Sequence, residues 1–257
     1  MKCGTVSLHR YLSCHPEIFM PPLVELDFFV KERNWQKGLD WYESHFPEQA
    51  KVIGERSTAY SKYPDFKGIP ERVHRLIPHA KLIYIIRDPV ERIVSQYIHW
   101  FARGYENRSF ADAIHHDFPN NSYIYYSRYY LQLEQYLEFF PIANILVLKL
   151  EDMAKERRGY LKSIFKFLEV DPEFDNPEFY NEYHKSIEKS RATRLSYYLK
   201  QVRGMHRLEK YFPSLFRKPI IRPQLSETLR EKIREVVSDD LEKINSYCYS
   251  QIEEVNL

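Results

Sequence analysis

Apolar and polar positions along the 257-residue chain alternate between two regimes. Three short runs, KVIGE at Lys51 to Glu55, KLIYII at Lys81 to Ile86 and NILVLK at Asn144 to Lys149, read as buried strands. The segments around them carry apolar residues at i, i+3 and i+4, the spacing of amphipathic helices. Such alternation predicts an α/β fold, a parallel β-sheet flanked by helices on both faces. In sheets of this kind ligands sit beyond the carboxyl ends of the strands, where this sequence places Glu55, Arg87 and Glu151. The clearest helix start lies in IIRDPVERIVSQYIHWF, where Asp88 can cap, Pro89 takes the first helical position and Glu91 follows three after the cap. On that helix Val90, Ile93, Val94, Tyr97 and Phe101 form one apolar stripe, and Arg92, Ser95 and His99 share another face. Strand and helix are thus expected to direct Arg87 and a polar row at one crevice. A last helix is expected over Glu227 to Tyr249, with Leu229, Ile233, Val236, Val237, Leu241, Ile244 and Cys248 as its packing stripe. No internal repeat and no low-complexity linker interrupts the chain, so residues 1–257 read as one domain.

Composition narrows the function classes. Basic and acidic residues nearly cancel, 38 against 36, and 44% of the chain is hydrophobic, which excludes a disordered chain and gives no reason to expect a nucleic-acid partner. The longest apolar runs, such as Leu82 to Ile86, fall far short of the ~20 residues needed to span a bilayer, and no apolar leader follows Met1. The expectation is a chain without a membrane span, in the cytoplasm. Cys3, Cys14 and Cys248 show neither CxxC spacing nor a nearby His cluster, so neither a metal nor a disulfide framework is expected. Glycine is scarce, 7 residues in all, which draws attention to Gly4, Gly54 and Gly104. One local imbalance hides in the neutral total: Lys185 to Arg222 holds eleven Lys and Arg against Glu188 and Glu209. That segment is either a solvated face or a surface for anions.

The candidate chemistry begins at the amino terminus. MKCGTVSLHRYLSCHP packs a Lys, a Gly and two hydroxyls into a turn ahead of a helix, which offers unpaired N–H groups and a positive dipole end to an anion. The Walker A pattern places Gly before Lys and Ser/Thr directly after it; here Gly4 follows Lys2, which argues against a Mg-dependent NTPase. Lys2-x-Gly4-Thr5 at one strand-to-helix junction and RDPxxRxxSxY at another resemble the 5′-phosphosulfate loop and the 3′-phosphate motif of sulfotransferases that use 3′-phosphoadenosine 5′-phosphosulfate (PAPS). The resemblance continues in order through HPEIFMPP (15–22), GERSTAY (54–60), RYYLQLEQYLEFFP (128–141), ILVLKLEDM (145–153), FLEV (167–170) and LSETLREKIREVV (225–237). It is nearest the carbohydrate, heparan-type branch and its bacterial relatives.

That resemblance implies PAPS as co-substrate, no metal, and a hydroxyl or amine of a carbohydrate or carbohydrate-like acceptor. It casts Lys2 as the residue that neutralises the leaving oxygen, with Cys3, Gly4, Thr5, Val6 and Ser7 as the loop around the 5′-phosphate. Arg87 and Ser95 would grip the 3′-phosphate, Glu55 would be the general base, and His99 would be a supporting catalytic histidine or simply a hydrogen-bond donor on the helix face. Sulfuryl transfer needs charge on the leaving oxygen stabilised, reactants aligned and a base for the acceptor proton, and these residue types supply that. A Glu with an unperturbed pKa near 4.3 is a poor base at neutral pH, so Glu55 needs burial. The match departs from the family in three places. The apolar strand that enters the loop in relatives has no room before Lys2, so the expectation is a truncated start or a sheet without its central strand. Val6 stands for a hydroxyl residue, and Val24 for a frequent Lys. The other readings are a P-loop nucleotide kinase and a non-catalytic member of the fold that binds nucleotide or polyanion. The basic segment is expected to close over cofactor and acceptor.

Overall fold

The computed structural model describes residues 2–22, 25–47, 49–181, 190–192 and 211–255. Val24 and most of the Lys185 to Arg222 segment lie outside the described residues. In chain order the elements are α1 (Thr5–Ser13), β1 (Ile18–Phe19), α2 (Leu39–Glu43), β2 (Val52–Ile53), α3 (Ile69–Leu76), β3 (Leu82–Ile86) and α4 (Pro89–Arg103). They continue with α5 (Phe110–His115), α6 (Ser122–Tyr125), α7 (Tyr129–Leu137), β4 (Ile145–Lys149), α8 (Leu150–Lys155), α9 (Arg157–Leu168), β5 (Ser190–Ala192) and β6 (Arg217–Pro219). No described helix is long and apolar enough to cross a membrane.

The expected parallel sheet is present as two parallel pairs. Residues 82–86 of β3 pair in register with 145–149 of β4, and Ile18 and Phe19 of β1 pair with Val52 and Ile53 of β2. Between the pairs lies a cavity of about 570 Å³, walled by Ile18, Val52 and Ile53 on one side and Leu82 to Ile85 on the other. Among the described residues β2 and β3 do not pair with each other. β5 and β6 form a separate antiparallel pair.

Helix α4 begins as its sequence dictates. Asp88 accepts a hydrogen bond from the Glu91 N–H at 2.8 Å, Pro89 opens the first turn, and Gly104 closes the helix in a left-handed conformation. The Asp88 N–H also donates to Glu151 Oε1 at 2.9 Å, which ties the ends of β3 and β4 together. The apolar stripe is buried as expected: Val90, Ile93, Val94 and Tyr97 are 0–5% exposed. The polar row needs a correction, because Arg92 does not face a crevice. It is fully buried and donates to Gln96 Oε1 within α4 and to Ser127 Oγ and the Tyr123 carbonyl, the last two holding α4 against the α6 region.

The terminal helix is also different from expectation. It is two helices, Glu227–Val236 and Ser238–Val255, meeting at Val237. Leu229, Ile233 and Val237 belong to the small core around α4, whereas Ile244 and Tyr247 enter the main core. One apolar stripe serves two cores, so its periodicity runs unbroken through the bend. The second helix contributes a remote cap: Asp240 accepts the Tyr130 and Leu131 N–H groups at 2.9 and 2.8 Å, at the start of α7, where Arg128 provides no side-chain cap.

Candidate functional site

The opening turn has left-handed backbone at both Lys2 (φ 70°) and Gly4 (φ 80°), a curl of the kind that turns N–H groups toward an anion. Two observations favour glycine at position 4. A Cβ there would meet Leu150 Cδ1 at 2.5 Å, and its φ is one that L side chains rarely adopt. Helix α1 then starts with no side-chain cap and no acid in its first turn, leaving the positive end of its dipole unscreened. Cys3 and Ser7 are buried, and Thr5 and Val6 are half-buried in that first turn.

At the carboxyl end of β3, Arg87 reaches the loop directly: Nη1 donates to the Lys2 carbonyl at 3.4 Å, and Nε is buried without a partner. The two motifs separated by 85 residues are therefore in contact. Nη2 of Arg87 lies 3.4 Å from Glu91 Oε2. The same carboxylate receives Arg222 Nη2 at 2.7 Å on both oxygens. Ser95 is buried two turns into α4, and His99 is half-buried further along. Neither lines the cavity that holds Glu55.

Glu55 follows β2 and Gly54, at which a Cβ would sit 2.8 Å from Sδ of the Met20 side chain. One carboxylate oxygen, Oε1, accepts from Tyr60 at 2.8 Å and from Tyr42 at 3.1 Å. The other, Oε2, is closed off from solvent and has no hydrogen-bond partner within the protein. Burial pushes the carboxyl up to about 7, against the two phenolic hydrogen bonds that lower it, with the Asp27 charge adding a small upward push. The burial that a base at neutral pH requires is thus present.

Two residues that the motif reading passed over join this site. Arg56 Nη1 donates to Thr5 Oγ1 at 3.0 Å, linking the Glu55 strand end to the first turn of α1, and its Nη2 lies 3.7 Å from Glu25. Its Nε is buried without a partner. His9, four residues after Thr5, lines the same cavity; burial and then the Arg56 charge lower its pKa. The available signal was position alone, Arg56 beside Glu55 and His9 one helical turn beyond Thr5.

The described ends of the basic segment rest on α4. β5 and β6 pair through Ser190 to Ala192 and Arg217 to Pro219, the Arg191 guanidinium stacks 4.1 Å from the Phe101 ring centroid, and Arg191 donates to Asn107. With Arg222 on Glu91, these contacts anchor the segment on the helix that follows Arg87.

The model of a family described as "Sulfotransferase domain" matches residues 1–245. The chain is 27% identical over 252 residues to a bifunctional heparan sulfate N-deacetylase/N-sulfotransferase 1 of Caenorhabditis elegans, covering 93% of this chain and 28% of that protein. It is 26% identical over 196 residues to mouse heparan sulfate glucosamine 3-O-sulfotransferase 5, covering 70% of this chain and 54% of that one. The chain therefore spans less than a third of the first of these relatives and about half of the second. Among solved structures, a sulfotransferase from Alicyclobacillus acidocaldarius superposes with a TM-score of 0.60 at 26% identity, covering 82% of this chain and 92% of that one.

Proposed function

Because the chain belongs to the sulfotransferase domain family, we propose that it transfers a sulfuryl group from PAPS to a hydroxyl or amine of a carbohydrate or carbohydrate-like acceptor. The observation that carries this reading is Glu55, a carboxylate with one oxygen held by two phenols, the other unpartnered, and a pKa raised to about 7. A group so poised is half-ionised at neutral pH and can accept a proton from an attacking nucleophile. The acceptor lone pair forms the new bond to sulfur while the bond from sulfur to the 5′-phosphate oxygen breaks. The departing electron pair stays on that oxygen, where Lys2 and the first-turn N–H groups of α1 offset the charge. The acceptor proton goes to Glu55. Arg87, with its unpartnered buried Nε, and Ser95 hold the 3′-phosphate, and His99 has a supporting role. The heparan sulfate enzymes among the relatives support a carbohydrate acceptor.

Titration of the purified chain with adenosine 3′,5′-bisphosphate and with ATP, read as thermal stabilisation, tests the cofactor. A charge-assisted hydrogen bond contributes about 1.5–3 kcal/mol, so the 3′-phosphate should favour the bisphosphate by roughly ten- to a hundredfold. Arg87→Ala should remove that preference. Equal stabilisation by both nucleotides, or by neither, would overturn the PAPS reading, and a preference for ATP would favour a kinase.

A further inference from the structure

The two oxygens of Glu55 are not equivalent. Oε1 takes both available phenolic protons, and the donors come from separate parts of the chain: Tyr42 from α2 and Tyr60 from the turn after β2. Each phenol is fixed independently of the carboxylate. The Tyr42 ring stacks on Phe28 at 4.4 Å and 13°, with Phe46 edge-on at 4.9 Å. Tyr60 Oη accepts the Phe29 N–H at 3.4 Å, which leaves its own proton for Glu55. The backbone carbonyl of Tyr60 is in turn held by the Tyr136 hydroxyl at 2.8 Å. An oxygen that already accepts two hydrogen bonds is the poorer place for a proton, and Oε2, buried and unpartnered, is the better one.

We propose that Tyr42 and Tyr60 are positioning residues that lock Oε1 of Glu55 and so assign the acceptor's proton to Oε2. The proposal rests on the reading of Glu55 as general base. In the transfer step the acceptor O–H or N–H bond breaks as its heteroatom bonds to sulfur, and the proton passes to Oε2 while Oε1 keeps both phenolic hydrogen bonds. The two tyrosines also hold the carboxylate ionised in a buried place, since each donates to the charged form. The other groups facing Glu55 are Asp27, which opposes ionisation, and Tyr136 from α7. Neither hydrogen-bonds the carboxylate, as Asp27 is taken by Arg33 and Ser57 and Tyr136 by the Tyr60 carbonyl.

The test is a pH titration of the full chain labelled with 13C at the Glu carboxyls, the Glu55 signal being the one lost in Glu55→Gln. Tyr42→Phe and Tyr60→Phe keep the rings and remove one hydrogen bond each. Each should move the Glu55 midpoint upward by about one pH unit, equivalent to one charge-assisted hydrogen bond. With PAPS and N-desulfated heparan sulfate as acceptor probe, the acidic limb of kcat/KM should move with it, leaving turnover about tenfold lower below the limb and restored at high pH. An unmoved midpoint in both variants would overturn the proposal, as would a fixed kcat/KM limb where Glu55→Gln is inactive. Full turnover by Glu55→Gln would instead remove the base reading itself, whatever the titration shows.

Discussion

Replacing Glu55 by Gln should change the pH dependence of stability in a calculable way. The carboxyl has an ordinary value of 4.5 and is raised to about 7 in the fold, chiefly by burial. Between those values the folded chain keeps a proton that the unfolded chain releases, so stability falls as pH rises through the window and the loss is complete above about 7. At 1.36 kcal/mol per pKa unit, the cost of folding around the ionised carboxylate is about 3 kcal/mol. Gln can accept both phenolic hydrogen bonds through its carbonyl but does not titrate, so any cost of placing an amide beside the unpartnered site is the same at every pH. Groups that titrate elsewhere, such as Glu106, held at about 2 by Arg108, affect both proteins alike. Urea unfolding of the two proteins at pH 4.5 and pH 8 measures the difference. Relative to wild type, Glu55→Gln should gain about 3 kcal/mol between the two conditions. Parallel behaviour across that range would refute the claim that Glu55 is buried and raised.

Gly4→Ala should lower the melting temperature by several degrees and weaken stabilisation by adenosine 3′,5′-bisphosphate. A left-handed L residue costs roughly 1–2 kcal/mol, and Leu150 must also yield to a Cβ at 2.5 Å; an unchanged melting temperature would contradict this. Trypsin cleavage between Lys185 and Arg222 should slow when that nucleotide is bound, because the described ends of the segment rest on α4 through Arg191 and Arg222. Equal rates with and without nucleotide would return the segment to a solvated face.

The parts of the fold legible in the sequence were those with strong local signals. LIYII and the apolar ILVL that opens ILVLK mark the two strands, which pair in parallel over five residues, and Asp88-Pro89 with Glu91 marks a helix start that backbone chemistry alone enforces. β2 shrank to Val52 and Ile53, and its partner β1, two residues long, is too short to leave any periodicity. The break at Val237 was hidden because both helices continue one stripe. Arg92 looks like part of a polar row, since spacing cannot distinguish an arginine facing solvent from one whose three guanidinium nitrogens each find an acceptor inside. At the candidate site, Glu55 and Arg87 could be read from motifs, but Tyr42 could not. It lies 13 residues before Glu55, in a helix that the motifs do not reach, and only tertiary packing brings its hydroxyl to Oε1.

The central claim is sulfuryl transfer with Lys2 at the leaving oxygen and Glu55 as base. Its most direct test is incubation of the chain with 35S-labelled PAPS and a panel of N-desulfated and O-desulfated heparan sulfates, followed by counting of label in polysaccharide. The account predicts transfer to at least one of them by wild type and loss of about two or more orders of magnitude in Lys2→Ala and in Glu55→Gln, with nucleotide binding nearly intact in Glu55→Gln. Absence of transfer by wild type to every acceptor despite tight binding of adenosine 3′,5′-bisphosphate, or unchanged transfer by Glu55→Gln, would contradict it.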